Sequence, residues 1–190
     1  MTITTVRASG ALLAMVPAAF LFLAAVPASG REPDTAREEY FSRMGIVQPD
    51  RPVRAQDIAV ETLDGARVRL SEFRGKVVFL NFWATWCGPC RMEVRDIDRL
   101  HRTLREESFA VMAVDVQESA NRVTRFMRRE GVDFPVYLDP DGNAALQWGV
   151  TGIPATFIVD PRGYVAGYAL GPRDWGSEES VALMRSLMQD

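Results

Sequence analysis

The chain's two cysteines sit three positions apart in Cys87-Gly88-Pro89-Cys90. At that spacing a disulfide closes with little backbone movement, and the reduced pair can perform thiol–disulfide exchange. The residues before the pair, Val77 to Trp83 (VVFLNFW), form a nearly continuous apolar run, and those after it carry a helical pattern. The pair therefore lies where a buried strand ends and a helix begins. Pro89 pre-sets φ for a first helical turn and lacks an N–H that would have no partner there. A helix N-terminus carries about +0.5 of an elementary charge, which favours a thiolate. Cys87 is predicted to be the exposed attacking sulfur. Cys90, one turn later on the same face, would resolve a mixed disulfide by attacking Cys87.

Other chemistry is compatible with the same spacing. Cys-x-x-Cys is half of a zinc site, or a local structural staple. With two cysteines and one histidine, His101, the chain lacks a ligand for a four-ligand Cys/His zinc site. Two thiolates also suit Cu(I), so a Cu(I)-handling or client-binding module without turnover stands as a second class of function. A net charge of -3, from 22 basic and 25 acidic residues, argues against general nucleic-acid binding. At 47% hydrophobic and 25% charged, the composition excludes wholesale disorder, and two cysteines exclude a disulfide-rich scaffold. The methionines are scattered and form no metal-binding box. No metal and no cofactor are expected.

The elements that would position the cysteines follow from the pattern. Ile58–Leu63 and Ala66–Leu70 flank Asp64-Gly65 and read as a β-hairpin. Val77–Trp83 suits a central parallel strand buried on both faces. A helix is expected over Pro89–Glu106, with Met92, Val94, Ile97, Leu100 and Leu104 as its buried stripe. Phe109–Val116 reads as a second apolar strand and Glu118–Glu130 as a helix with Val123, Phe126 and Met127 inward. Phe134–Leu138 is a short strand, Asn143–Trp148 a turn or two of helix, and Ala155–Val159 with Tyr164–Leu170 a second hairpin. Ser177–Met188 closes the chain as a helix, with Ser177 or Ser180 as its N-cap. Alternating strands and helices imply an α/β fold, a sheet flanked by helices. On the Pro89–Glu106 helix, Arg91, Arg95, Arg99 and Arg102 interleave with Asp96 and Asp98, which reads as a solvated, salt-bridged face with His101 at the surface.

No charged residue lies between Arg7 and Arg31, and Ala11–Val26 is apolar almost throughout. Residues 1–28 read as a signal peptide with small residues near Val26-Pro27-Ala28, or as a retained membrane anchor. Either delivers the rest of the chain to the periplasm or the extracytoplasmic face of the membrane, and any membrane contact would come only through this segment. Residues 29–56 are polar, with Pro33, Pro49 and Pro52, and read as a linker with a short helix around Ala36–Met44. The domain proper is expected over 57–190.

Gly75-Lys76-Val77-Val78-Phe79-Leu80-Asn81-Phe82-Trp83-Ala84-Thr85-Trp86-Cys87-Gly88-Pro89-Cys90-Arg91-Met92-Glu93, with Asp133-Phe134-Pro135-Val136, Tyr137-Leu138-Asp139-Pro140 and Gly152-Ile153-Pro154-Ala155-Thr156-Phe157-Ile158-Val159-Asp160, resembles the thioredoxin superfamily. More narrowly the chain is similar to its exported TlpA/ResA/DsbE-like thiol–disulfide oxidoreductases. The resemblance implies a thioredoxin-like fold, a central mixed β-sheet flanked by helices, with an N-terminal β-hairpin extension. It implies a redox-active Cys87–Cys90 disulfide and a cis Ile153–Pro154 bond facing it. Ile153 and Pro154 would offer backbone groups to an extended substrate, and Trp86 would form part of the docking surface. Glu93 would tune the cysteine pKa values or relay a proton. Val94-Arg95 replaces the proline that often follows this glutamate, so the helix kink that proline brings is not expected. Asn81 stands where thioredoxin has a buried aspartate, leaving Glu93 as the available carboxylate. A peroxiredoxin-type peroxidase would want a threonine three residues before its reactive cysteine, and Ala84 is there. The Gly-Pro dipeptide and the Ile before Pro154 resemble reducing members more than oxidising ones, with the disulfide-donating oxidant as the alternative. The resemblance further implies exported protein disulfide substrates, roles in cytochrome c maturation or copper-centre assembly, and a membrane-borne thiol electron donor.

Overall fold

The structure, a computed structural model, describes residues 1–5 and 35–189. The predicted signal or anchor, 1–28, lies outside the described residues beyond its first five. Pro33 onward forms one compact unit.

The first hairpin forms as expected, with β1 (Ala59–Thr62) and β2 (Arg67–Arg69) joined at Asp64-Gly65, where Gly65 takes the positive φ the tight turn needs. β3 (Val77–Trp83) leads into α2 (Gly88–Leu104); α1 (Thr35–Arg43) precedes them all. Then follow β4 (Phe109–Val116), α3 (Ala120–Glu130), β5 (Val136–Asp139) and α4 (Asn143–Gln147). β6 (Ala155–Val159), β7 (Val165–Leu170) and α5 (Glu178–Leu187) complete the unit. The strands form one sheet in the order β2-β1-β5-β4-β3-β6-β7.

β3 is central and buried at every position, as its apolar run predicts. It pairs parallel with β4 but antiparallel with β6, so the parallel expectation holds on one side only. The apolar run reports burial on both faces; it carries no information about the direction of the neighbours. Residues from α1, α2, α3 and α5 pack on one face of the sheet, around Phe79, Trp83 and Val111. Ile58, Leu70 and α4's Ala144 and Ala145 pack on the other, against Leu80, Phe82 and Met112.

Two expectations are corrected. Met92 is 73% exposed, and the inward position is taken by Glu93 beside Cys90, Val94, Ile97, Leu100 and Leu104. Helical spacing from Cys90 and Val94 selects position 93, and 92 falls outside that stripe. Residues 35–55, inside the predicted linker, are part of the folded unit. Phe41, Ile46 and Ala55 are buried. Val47 exchanges two backbone hydrogen bonds with Tyr168, at 2.8 and 2.9 Å, and the Val165 N–H donates to the Val53 carbonyl at 2.8 Å. This segment covers the edge of β7, which would otherwise present unpaired backbone to solvent.

The arginine face on α2 is paired as expected, Arg95 with Glu130, Arg99 with Asp96 and Arg102 with Asp98. His101 is half-buried instead of solvated, and burial holds its imidazole below the ordinary range against the pull of Asp98 and Asp133.

Candidate active site

Cys87 and Cys90 are joined as a disulfide with Cα atoms 5.3 Å apart. Cys87 is the N-cap of α2: its Sγ accepts the Cys90 N–H at 3.2 Å, and its carbonyl accepts the Arg91 N–H. An amide N–H at that sulfur, together with the helix dipole, would stabilise a thiolate on Cys87 once the bond opens. The predicted exposure of Cys87 is not found. The residue is 4% exposed, packed in the cluster that holds Trp83, Ala84 and Cys90. Its Sγ lies 3.6 Å from the carbonyl oxygen of Ile153.

The Ile153–Pro154 bond is cis. Pro154 is buried and Ile153 half-buried, at the start of β6. Trp86, one residue before the first cysteine, is 63% exposed. The Ile153 carbonyl thus lies against the Cys87 sulfur, and the exposed Trp86 indole adjoins Cys87 in the chain.

Glu93 is 1% exposed, one helical turn beyond Cys90 on the inward face of α2. Asn81 donates its Nδ2 to Glu93 Oε1 at 3.0 Å, and to Thr156 Oγ1 at 2.9 Å. On the other oxygen, Glu93 Oε2 accepts Trp175 Nε1 at 3.0 Å and the Arg173 backbone N–H at 3.2 Å. Burial outweighs these donors and pushes the carboxyl up to about 7. The group can therefore give or take a proton near neutral pH.

A second carboxyl cluster lies behind the loop that precedes Cys87. Glu118 accepts the Thr85 backbone N–H at 2.5 Å and the Thr85 hydroxyl at 2.8 Å. Arg122 Nε is 2.5 Å from Glu118 Oε1 and donates to Thr85 Oγ1 at 3.1 Å. Asp115, at the end of β4, is buried beside them.

The structure brings Cys87, Cys90, Ile153 and Pro154 together, with Trp86 adjoining Cys87 in the chain and Glu93 on the inward face of the helix that carries Cys90. Sequence reasoning missed Trp175, Arg173 and Thr156, which complete the Glu93 network, and the Thr85–Glu118–Arg122 cluster. Only Asp115 carried a local signal, as an acidic residue inside an otherwise apolar strand.

A family model described as the AhpC/TSA family matches residues 53–167. The chain is 38% identical over 117 residues to the thiol-disulfide oxidoreductase ResA of Bacillus subtilis, covering 62% of this chain and 65% of that protein. It is 33% identical over 137 residues to ResA of Bacillus cereus, covering 72% of this chain and 78% of that protein. Among solved structures it is similar to a Chlorobium tepidum thiol:disulfide interchange protein DsbE, at 30% identity and TM-score 0.66, covering 73% of this chain and 98% of that one. A secreted thiol-disulfide isomerase from Corynebacterium glutamicum superposes with TM-score 0.67 at 26% identity, covering 76% of this chain and 92% of that one.

Proposed function

The chain belongs to the AhpC/TSA family of the thioredoxin superfamily, and from that premise we propose that it is an extracytoplasmic thiol–disulfide oxidoreductase that reduces disulfides in selected exported proteins. The observation that carries the reading is the Cys87–Cys90 disulfide capping α2, with the Cys90 N–H on Cys87 Sγ. The names of the relatives, ResA and DsbE, support the same chemistry. A peroxidase is disfavoured by Ala84 at the position where a threonine is wanted.

In the reduced protein, the Cys87 thiolate attacks one sulfur of a substrate disulfide. A Cys87–substrate bond forms, and the other substrate sulfur leaves as a thiolate. Cys90 then gives up its proton and attacks Cys87 Sγ. This releases the second substrate sulfur, so the substrate gains two electrons and the protein returns to the Cys87–Cys90 disulfide. Glu93, poised near neutrality, takes the Cys90 proton and returns it through solvent to the leaving thiolates. Trp86 packs against the incoming chain, and Ile153 and Pro154 offer it backbone groups by strand addition. A membrane-borne thiol donor regenerates the dithiol. The apolar stretch Ala11–Val26 supports an extracytoplasmic place of action, and cytochrome c maturation or copper-centre assembly is the process such a reductant serves.

The test is direct. The reduced protein should cleave the interchain disulfides of insulin, Cys87→Ser should abolish this, and Cys90→Ser should accumulate a mixed disulfide on Cys87. Equilibration with thiol buffers should give a potential near or below about -230 mV; a value near about -120 mV would make the protein a disulfide donor instead. Full activity in Cys87→Ser would overturn the mechanism.

A further inference from the structure

Asp115 stands at the end of β4, where Phe109, Val111 and Ala113 face the cluster that holds Trp83, Cys87 and Cys90. The alternation of a strand carries Asp115 to that same face. The residue is 0% exposed, and neither of its carboxyl oxygens accepts a hydrogen bond from a described group. A buried carboxylate with no donor is costly, so a bare anion is a poor description of this group. From β3 it is paired with Trp83, and from β5 with Leu138. The charged groups that face it are the Glu118 carboxyl and, from α3, the Arg122 guanidinium.

Glu118 is already occupied as an acceptor, by the Thr85 N–H, the Thr85 hydroxyl and Arg122. Its environment is built for the anion. Asp115 has the opposite environment, with no donor and an anion in front of it. Two carboxyl groups in contact are stable when one proton lies between them, and here the donors decide which of the two is the acid. The backbone between them supports this pairing. Gln117 takes φ +61°, uncommon for a residue with a side chain, and its N–H is held by the Asp139 carbonyl at 3.0 Å. That turn lies between Asp115 and Glu118, whose oxygens accept from Thr85.

We propose that Asp115 and Glu118 hold one proton between them, and that this proton keeps Glu118 seated on Thr85, two residues before Cys87, so that dithiol reactivity is governed by a second acid group separate from Glu93. The proposal rests on the oxidoreductase reading for its reactive consequence but not for the proton itself. While the pair holds its proton, Arg122 balances a single negative charge. When the proton leaves, the two anions repel and compete for one guanidinium, which disturbs the seat of Glu118 on Thr85, and a thiolate on Cys87 gains one further negative charge nearby. The burial of Asp115 and the charge of Glu118 delay that loss to about 8.

Carboxyl 13C NMR of the oxidised protein tests the shared proton without any assay of activity. The Asp115 carbon should titrate above the ordinary carboxyl range, and Asp115→Asn should remove that transition. Should Asp115→Asn fail to fold, the wild-type titration still decides, with Glu118→Gln for assignment. The reactive consequence is read as the rate of the reduced protein with uncharged hydroxyethyl disulfide from about pH 6 to about pH 9.5. The wild-type and Asp115→Asn profiles should run parallel below the Asp115 transition and diverge above it, the variant becoming severalfold faster. An Asp115 carbon that titrates in the ordinary range, or rate profiles that remain parallel throughout, overturns the proposal. Inactivity at every pH with the Asp115 transition intact counts against the oxidoreductase reading instead.

Discussion

The indole N–H of Trp175 donates to Glu93 Oε2 at 3.0 Å, joining two buried residues 82 positions apart in the chain. The loop before α5 thereby reaches under the helix that carries the cysteines. Trp175 is itself fixed edge-on against Phe79 of β3, with ring centroids 4.9 Å apart. Arg173 adds its backbone N–H to the same carboxyl oxygen, while its guanidinium donates to the carbonyls of Met44, Gly45, Leu170, Gly171 and Pro172. One arginine thus ties the N-terminal segment to the loop that holds Glu93. The carboxyl keeps good donors and the nearby charge of Arg173, yet remains expensive to ionise because burial outweighs them.

Glu93→Gln should change how stability depends on pH. In the folded protein the carboxyl is raised from 4.5 to about 7 by burial. A raised acid contributes stability that is complete below its unfolded value and is lost as pH rises through the folded one. The wild type should therefore lose on the order of 3 kcal/mol relative to Glu93→Gln between those two limits, and nothing further above them. Urea unfolding of both oxidised proteins across that range measures the difference. Parallel curves would mean that Glu93 does not titrate in the folded state as its burial requires.

Trp175→Phe should push Glu93 further upward. The phenyl ring preserves the packing on Phe79 but removes the donor to Oε2. A hydrogen bond to a charged group contributes about 1.5–3 kcal/mol, so the Glu93 titration should rise by roughly one unit or more. Carboxyl 13C NMR reads the midpoint directly. A midpoint that stays in place or falls would show that the indole does not stabilise the anion.

These two residues also mark the limit of what the chain discloses locally. The strands β3 and β4 are legible because both are buried on two faces and read as nearly continuous apolar runs. The cysteine pair is legible because strand, Pro89 and helix period all converge on it. Glu93 is legible only through resemblance, since an acidic residue on a densely charged helix otherwise reads as solvated. Trp175, Arg173 and Thr156 are hidden because their partners are brought close only by the sheet order, which no short-range pattern encodes. The segment before β1 is hidden for a different reason. Its polar composition masks Phe41, Ile46 and Ala55, whose value comes from covering an edge that the sequence alone does not reveal.

The exposed position of Met92 has a stability consequence that separates it from the rest of its helix. Met92 is at the surface, whereas Leu100 is fully buried on the inward stripe. Met92→Ala should cost less than about 0.5 kcal/mol, the usual range for a surface change. Leu100→Ala should cost about 2–5 kcal/mol through lost burial and the cavity left behind. Denaturant midpoints of the two variants check this. Comparable losses would place Met92 inward after all.

Removal of residues 1–56 should leave a protein that is both weaker and prone to self-association. The loss of Phe41, Ile46 and Ala55 uncovers apolar surface on the α1–α5 side and beneath the first hairpin. Burying a side chain of the size of Phe or Ile contributes about 1.5–3 kcal/mol each, a large part of a domain's net stability. The second effect is structural. The backbone bonds from Val47, Val53 and Ala55 to Tyr168, Val165 and Gly163 disappear together. β7 then becomes a free edge, and a free edge pairs with other chains. Phe41→Ala separates the two effects, since it removes core contacts and leaves the edge covered. It should lower the thermal midpoint while its size-exclusion elution stays that of the intact protein, whereas the truncated chain should combine a lower midpoint with an elution that shifts with concentration. A truncated chain as stable as the intact one, with the same elution, would mean that these residues are the spacer their composition suggests.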